Sequence, residues 1–276
     1  TNRPNMIFER NYVDGKMSFK KSTGISQSWC NEVLDNRLFL SDIVNNRKCE
    51  IESIKEVYNW IINKISPVDI HKLNKGFSLN KIYKESDKGI INLIKKADLG
   101  LERIEVKDVS VDELLEQIKQ HKQEIPTQLA KALTDENTKI FDTKSYHKTE
   151  NGLLKSFNLN DMESDGTKTF LAISGPILDV LENGKILIVD EMDNALHPLL
   201  VKYIVDMFNN PEINKKNAQL IFASHAYYLM DGNHLTRDQI WFVDKAINNG
   251  SSSSLYSLSD FNNISTRKTT SFVDAY

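Results

Sequence analysis

The spacing of hydrophobic positions changes several times along the chain, and each change marks an element. In "MIFERNYVDGKMSFKKSTG" apolar and polar residues alternate on both sides of Asp14-Gly15, a pair that tolerates positive φ, which predicts a β-hairpin. From about Ser26 to Gln123 the period lengthens. "CEIESIKEVYNWIINKI" puts Ile51, Ile54, Val57, Tyr58 and Ile61 on one helical face. "DKGIINLIKKADLG" ends in Gly100, a helix stop, and "SVDELLEQIKQHK" opens with Ser110 and Glu113 at capping-box spacing. Between these two, "ERIEVKDV" predicts a short strand. With the polar connection from Pro126 to about Glu136, residues 26–136 read as a mainly helical insertion behind a hairpin at 1–25.

The remainder, 137–276, has a different rhythm. "KIFDTKSYHK" and "LLKSFNLN" predict strands around Glu150-Asn151-Gly152. In "MESDGTKTFLAISGPILDVLENG", Phe170, Ile173, Ile177, Leu178 and Leu181 recur at helical spacing until Gly184 stops the helix. Strand "KILIVD", helix "HPLLVKYIVDMFNN" and strand "AQLIFASH" follow, with a third strand, "QIWFVDK", after a short loop. Unbroken apolar strands joined by a helix predict a parallel sheet covered on both faces, hence an α/β fold. Trp60 and Trp241 are assigned to the core, Trp29 to a half-exposed position, and the "GSSSS" run from Gly250 to Ser254 to a flexible loop.

Composition adds bounds. At 276 residues the chain can bury one large core or two smaller ones. A net charge of −3 removes a uniformly basic nucleic-acid surface, although local basic faces stay open. Lys95-Lys96 and Lys215-Lys216 read as solvated faces. Cys30 and Cys49 fit no zinc spacing and read as reduced thiols of a cytoplasmic protein; no apolar run reaches membrane-span length. His147 reads as a surface strand residue, and His71, His121 and His234 receive no role.

Chemistry concentrates in "ILIVDEMDNALHP", Ile186 to Pro198. Two adjacent carboxylates at the end of an aliphatic strand are costly unless something positive sits beside them. In open parallel sheets ligands bind beyond the carboxyl ends of the strands. Asp190 and Glu191 end one strand, and Ser224 and His225 end the next. If the strands are neighbours, Asp190, Glu191 and His225 converge on one rim. There a Mg²⁺ ion would stabilise Asp190, Glu191 would deprotonate a water, and His225 would hydrogen-bond a γ-phosphate. The plainer reading is a solvated carboxylate pair. A second motif, "ESDGTK" from Glu163 to Lys168, opens a helix and presents N–H groups to an anion. Its plainer reading is an N-cap by Ser164 or Asp165 with Gly166 as a turn residue.

The order "ESDGTKTF", helix, "ILIVDEMDNALHP", "IFASHAYYLMD" resembles the signature, Walker B, D-loop and H-loop of ABC-type ATPases. The "DNALHP" form and the ending "LYSLSDFNNISTRKTTSFVDAY" resemble the bacterial abortive-infection ATPases of the OLD, RloA and AbiL group, over about Phe141 to Tyr276. The resemblance implies a P-loop NTPase (ABC-ATPase-like) parallel sheet with flanking helices, in which the helical insertion is an arm or lever. It implies ATP and Mg²⁺ as cofactors, with Asp190 on the metal side and Glu191 and His225 catalytic. Glu163, Ser164, Asp165, Gly166 and Lys168 would form the nucleotide-contacting signature, and Asn194, Ala195, Leu196 and His197 the D-loop at a dimer interface.

By the same resemblance the protein would be a head-to-tail homodimer controlling an effector, such as a nuclease encoded nearby, in anti-phage defence. Asp165 and Thr167 replace the glycine and glutamine of the transporter signature. No G-x-x-x-x-G-K-[ST] occurs in the chain, which starts at Thr1, so the expectation is a P-loop upstream of Thr1 and a fragment that hydrolyses ATP poorly or not at all. An SMC-like DNA-repair ATPase, with nucleic acid as partner, and a catalytically inactive scaffold are the alternative readings.

Overall fold

The computed structural model describes residues 6–13, 16–21, 24–34, 36–46, 49–85, 88–97, 99–110, 113, 139–245 and 252–261. The chain divides into two compact units, Thr1–Ile65 and Ser66–Tyr276. The expected insertion is therefore split between them.

In the first unit the hairpin is present: β1 (Phe8–Val13) pairs antiparallel with β2 (Lys16–Lys21), Val13 opposite Lys16. The Asp14-Gly15 turn lies outside the described residues. Helices α1 (Gln27–Glu32), α2 (Phe39–Asn45) and α3 (Glu52–Lys64) follow. Phe39 sits between the rings of Phe8 and Phe19, at 4.9 and 5.1 Å, over a core of Ile25, Cys30, Val33, Ile43, Cys49 and Ile54. Both cysteines are free and buried, and burial pushes the Cys30 thiol pKa up. Of the apolar stripe expected on α3, only Ile54 is buried; Val57 and Trp60 are about half exposed, at 51% and 53%. Trp60 is thus not a core residue. Periodicity says that a helix is amphipathic, not what covers its apolar face.

The second unit is built around one helix. Strand β3 (Ile65–Val68) enters it, followed by α4 (Gly76–Glu85), α5 (Lys88–Lys96) and β4 (Leu101–Val109). The Ser110–Glu113 capping box forms as its spacing predicts, each residue's side chain accepting from the other's backbone N–H at 3.1–3.2 Å. His121 and the Pro126–Glu136 connection fall outside the described residues. β5 (Ile140–Lys148) and β6 (Leu154–Asn158) join β4 in an antiparallel sheet, β4-β5-β6. Glu105 on β4 accepts from the Tyr146 hydroxyl on β5 at 2.6 Å and pairs with Lys107, which holds its carboxyl down to about 2.

A short helix, α6 (Leu159–Met162), leads into α7 (Asp165–Asn183). Phe170, Ile173, Ile177 and Val180 on α7 have no exposed surface and Leu181 has 5%, while Leu171, Ala172, Ser174 and Gly175 are buried too. A helix apolar nearly all round is a core helix. It packs against α4, α5 and the strand β7 (Ile186–Val189). Pro176 interrupts it and removes the N–H that would reach the Ala172 carbonyl. The Ser78 hydroxyl of α4 donates to that carbonyl at 2.9 Å and accepts from the Gly175 amide at 3.0 Å. Ser78 therefore both repairs the break and fixes α4 on α7.

Gly184, with φ 58, ends α7 as predicted, and β7 leads through α8 (Pro198–Asn209) to β8 (Gln219–Phe222). β7 and β8 are parallel neighbours, Val189 opposite Phe222, in a sheet ordered β3-β7-β8. Leu187 and Val189 are buried, but Ile186 and Ile188 are half-buried and Ile221 is 54% exposed. Among the described residues one face of this sheet is covered and the other is not, contrary to the two-sided cover expected.

The predicted third strand, β9 (Trp241–Lys245), does not join this sheet; among the described residues it pairs antiparallel with β10 (Ser253–Ser257) alone. Trp241 is 56% exposed rather than core, its indole N–H donating to the Asp238 carbonyl. Ser253 and Ser254, assigned to a loop, belong to β10. Among the described residues no helix is long and apolar enough to cross a membrane.

Ser78→Ala leaves the Ala172 carbonyl, which Pro176 cannot serve, without the hydroxyl that pairs it inside the core, and should lower stability by about 1–3 kcal/mol in urea denaturation. Gly175→Ala should do comparable damage, roughly 1–3 kcal/mol, because its Cβ would lie 2.6 Å from Ser78 Oγ and 3.0 Å from Ser78 Cα. Glu105, with a depressed folded-state pKa, contributes stability that is present above pH 4.5 and is lost as pH falls toward about 2; Glu105→Gln should flatten the acid limb of the stability curve in that window.

Candidate functional site

The rim beyond β7 and β8 follows from their register. Ala223 N donates to the Val189 carbonyl at 3.0 Å and Met192 N to the Ala223 carbonyl at 3.2 Å, so the two chains stay tied after the strands end. The turn 191–194 follows, with Asn194 N donating to the Glu191 carbonyl at 3.1 Å and Glu191 at φ 48. Met192 is fully buried and anchors the turn from below.

The side chains then fan out. Asp190 is exposed, and among the described residues its carboxylate has no hydrogen bond or ion pair. Glu191 is half exposed; its Oε2 accepts from Asn194 Nδ2 at 2.9 Å and lies 3.4 Å from His71 Nε2. Asp193 accepts the backbone N–H of His225 on both oxygens, at 3.2 Å each. His225 is exposed. A cavity of about 520 Å³ opens beside the acidic pair, lined by Pro67 and Val68 of β3, Asp69 and His71 just after it, Ile188 of β7, and Asp190 and Glu191 just after that strand. Lys72 donates to Asp69 and holds its carboxyl below the ordinary range. The neighbouring strand ends therefore bring Asp190, Glu191 and His225 to one rim, with His225 fastened through Asp193.

The corner before α7 is the plain N-cap: Ser164 Oγ accepts from Thr167 N at 3.1 Å. Ser164 and Asp165 are exposed, and nothing within the described chain crowds a Cβ at Gly166. Lys168 pairs with Asp165 at 3.6 Å. Lys75, donating to Asn160, has its ammonium pKa lowered by burial and then by the charge of Lys168. Two lysines thus lie near an exposed helix N-terminus.

Other assignments change. Glu163 is buried and its carboxylate is taken by His147 Nε2 at 2.6 Å, so it braces the corner from behind instead of facing a ligand. Leu196 is 5% exposed and belongs to the main core, which withdraws its side chain from any interface. His197 caps α8, its Nδ1 accepting from Leu199 N. Asn194 points to Glu191.

His71 and Asp193 are the site residues that sequence reasoning missed. Asp193 stood two positions past the acidic pair and could have been found from that spacing. His71 is more than a hundred residues away and carried no signal.

Among the described residues no cluster of three or more His, Cys, Asp or Glu side chains is arranged to hold a metal alone. A Mg²⁺ ion does not require one, since it keeps waters and takes phosphate oxygens around one or two carboxylates. The exposed, unpaired Asp190 suits that donor set.

Asp193→Ala removes the two carboxylate oxygens that, among the described residues, accept the His225 amide. That amide should exchange with deuterium roughly five- to tenfold faster, the equivalent of about 1 kcal/mol, with the Leu187 and Leu220 amides unchanged.

Residues 37–231 match the family described as "AAA domain, putative AbiEii toxin, Type IV TA system". No curated protein matches the chain. The match spans more than half of the sequence and contains the Ser164 corner, the Asp190-Glu191 turn and His225. The chain therefore belongs to this AAA-domain family.

Proposed function

We propose that this chain is the nucleotide-hydrolysing part of a dimeric ATPase switch that controls an effector in bacterial defence against phage. The observation that carries the reading is the parallel, in-register pairing of β7 with β8, which ends an acidic pair and an imidazole at the same rim. Family membership supports an ATPase-like role, and the description of that family supports a toxin–antitoxin or abortive-infection setting.

In this reading Asp190 holds Mg²⁺, directly or through water, and the ion when bound neutralises phosphate charge. Glu191 orients a water and accepts its proton as the water attacks the γ-phosphate. His225, its backbone fastened to Asp193, donates a hydrogen bond to that phosphate. The exposed Ser164 corner, with Asp165, Gly166 and Lys168, faces the nucleotide held by a second copy arranged head to tail, and the 191–197 turn lies at the interface. The helical elements upstream of β5 transmit closure to the effector. The motif G-x-x-x-x-G-K-[ST] does not occur in this sequence, and this reading assigns phosphate cradling to none of its residues.

The test uses the intact protein. Glu191→Gln should abolish turnover, by about a hundredfold or more, while ATP binding and ATP-dependent dimerisation persist. A scaffold would show no turnover to lose and no ATP-dependent change in mass by light scattering, which would end this reading. Strong salt-dependent DNA binding would favour the DNA-repair alternative.

A further inference from the structure

We propose that the solvent face of the β4-β5-β6 sheet is a platform for single-stranded nucleic acid. The inference stands apart from the rim beyond β7 and β8, and does not need the chain to be an ATPase.

The register sorts this sheet onto two faces. Ile104, Thr143 and Ser145 lie on the inner one and are buried. Residues directly opposite each other share a face. Arg103 and Lys107 of β4 therefore stand beside Lys144, Tyr146 and Lys148 of β5 on the outer one, with Ser156 of β6 opposite Tyr146. The Arg103 and Lys107 side chains are 57% and 62% exposed, and Lys144, Lys148 and Ser156 are exposed too.

Two carboxylates share the face, Glu105 and Asp142, and both are drawn toward Lys107. Glu105 pairs with Lys107 at 3.0 Å and accepts from the Tyr146 hydroxyl at 2.6 Å, while Asp142 sits opposite Lys107. Lys144, although opposite Glu105, and Lys148 have no carboxylate partner among the described residues. Four cations (Arg103, Lys107, Lys144, Lys148) against two anions (Glu105, Asp142) make the face cationic, on a chain whose net charge is −3. A cationic face on an anionic protein concentrates polyanions at one place.

Charge alone would suit any polyanion, and the centre of the face narrows the choice. The Arg103 guanidinium lies over the Tyr146 ring, 5.0 Å from its centroid, and pairs with Glu105 at 3.3 Å. Glu105 in turn fixes the Tyr146 hydroxyl. The guanidinium is thus held between a ring and a carboxylate while more than half of the side chain stays in solvent. A guanidinium plane fixed in this way is a surface on which an unpaired base stacks. Alternate residues of β5 are about 7 Å apart, so Lys144 and Lys148 flank Tyr146 by one such step on each side. Cation, stacking plane and cation in file follow a phosphate chain and take its bases. A duplex hides its base faces and shows only edges within its grooves, which a broad three-stranded face does not enter.

The test measures fluorescence anisotropy of labelled oligouridylate and oligothymidylate, each of about twenty nucleotides, with the intact protein across a range of salt. Binding of either strand at low salt supports the platform, and the better-bound one says whether RNA or DNA is preferred. Affinity should fall with salt at a log–log slope of about −2 to −3, since three or four phosphate contacts contribute roughly 0.7 each. Lys144→Gln combined with Lys148→Gln should weaken binding about tenfold and flatten the slope by about 1.4. Glutamine is chosen because a glutamate at 144 would set like charges opposite each other. Arg103→Lys keeps the charge and loses the plane; it should weaken binding about fivefold with the slope unchanged. Lys215→Gln combined with Lys216→Gln removes the same charge from an exposed surface elsewhere and should change affinity less than about twofold. No binding of either strand at low salt, or an equal loss in the Lys215 and Lys216 control, would overturn the platform. So would a duplex held more tightly than both single strands, or binding to phosphatidylserine vesicles without binding to either strand.

Discussion

The parallel pairing of β7 and β8 is the constraint on which the site depends. Four aliphatic residues of β7 commit the chain to an interior position, and the register with β8 then decides what emerges beside them. Because the strands run the same way, both sets of polar residues leave the sheet at the same end. A hairpin would have put them at opposite ends. The backbone bonds between Val189, Met192 and Ala223 extend this alignment past the last paired residues. Asp193 continues it by taking the His225 amide. The rim is thus an extension of the sheet and not a pair of independent loops.

Helix α7 is what holds that strand pair in place. Its C-terminal end turns at Gly184 directly into β7, and its N-terminal end is the exposed Ser164 corner. The helix is buried along most of its length between α4, α5 and β7. Its single flaw, Pro176, is mended by a side chain from α4. The helix therefore acts as a stiff strut between the two places where the chemistry-bearing residues lie. The α4 and α5 helices, which the sequence grouped with a separate arm, belong to its packing instead.

Much of this was legible from residue order. The β7–α8–β8 unit, the caps at Ser164 and Gly184, the Ser110–Glu113 box and the strands β4, β5 and β6 follow from local pattern and local hydrogen bonding. What failed was non-local. Trp60 and Trp241 are large and apolar, but burial depends on a partner surface that no local window contains. Glu163 looked like part of a ligand-facing motif until β5 supplied His147. Leu196 sat inside a polar motif but follows the core. His71 became visible only when β3 was found beside β7. Pairing across the chain is set by fold topology, and a single sequence encodes it too diffusely for motif reading.

Glu191 has its backbone in the left-handed region, at φ 48. Glycine would sit there without the penalty of about 1 kcal/mol that a Cβ incurs by crowding the adjoining carbonyl, and asparagine offsets that penalty with local hydrogen bonds from its short amide. Fold maintenance and carboxylate retention thus favour different residues at this position. A lineage released from the need for the acid would be expected to drift toward a smaller or amide side chain here and gain stability in doing so. A glutamate at this strained backbone position is therefore what a turn that uses the acid would carry.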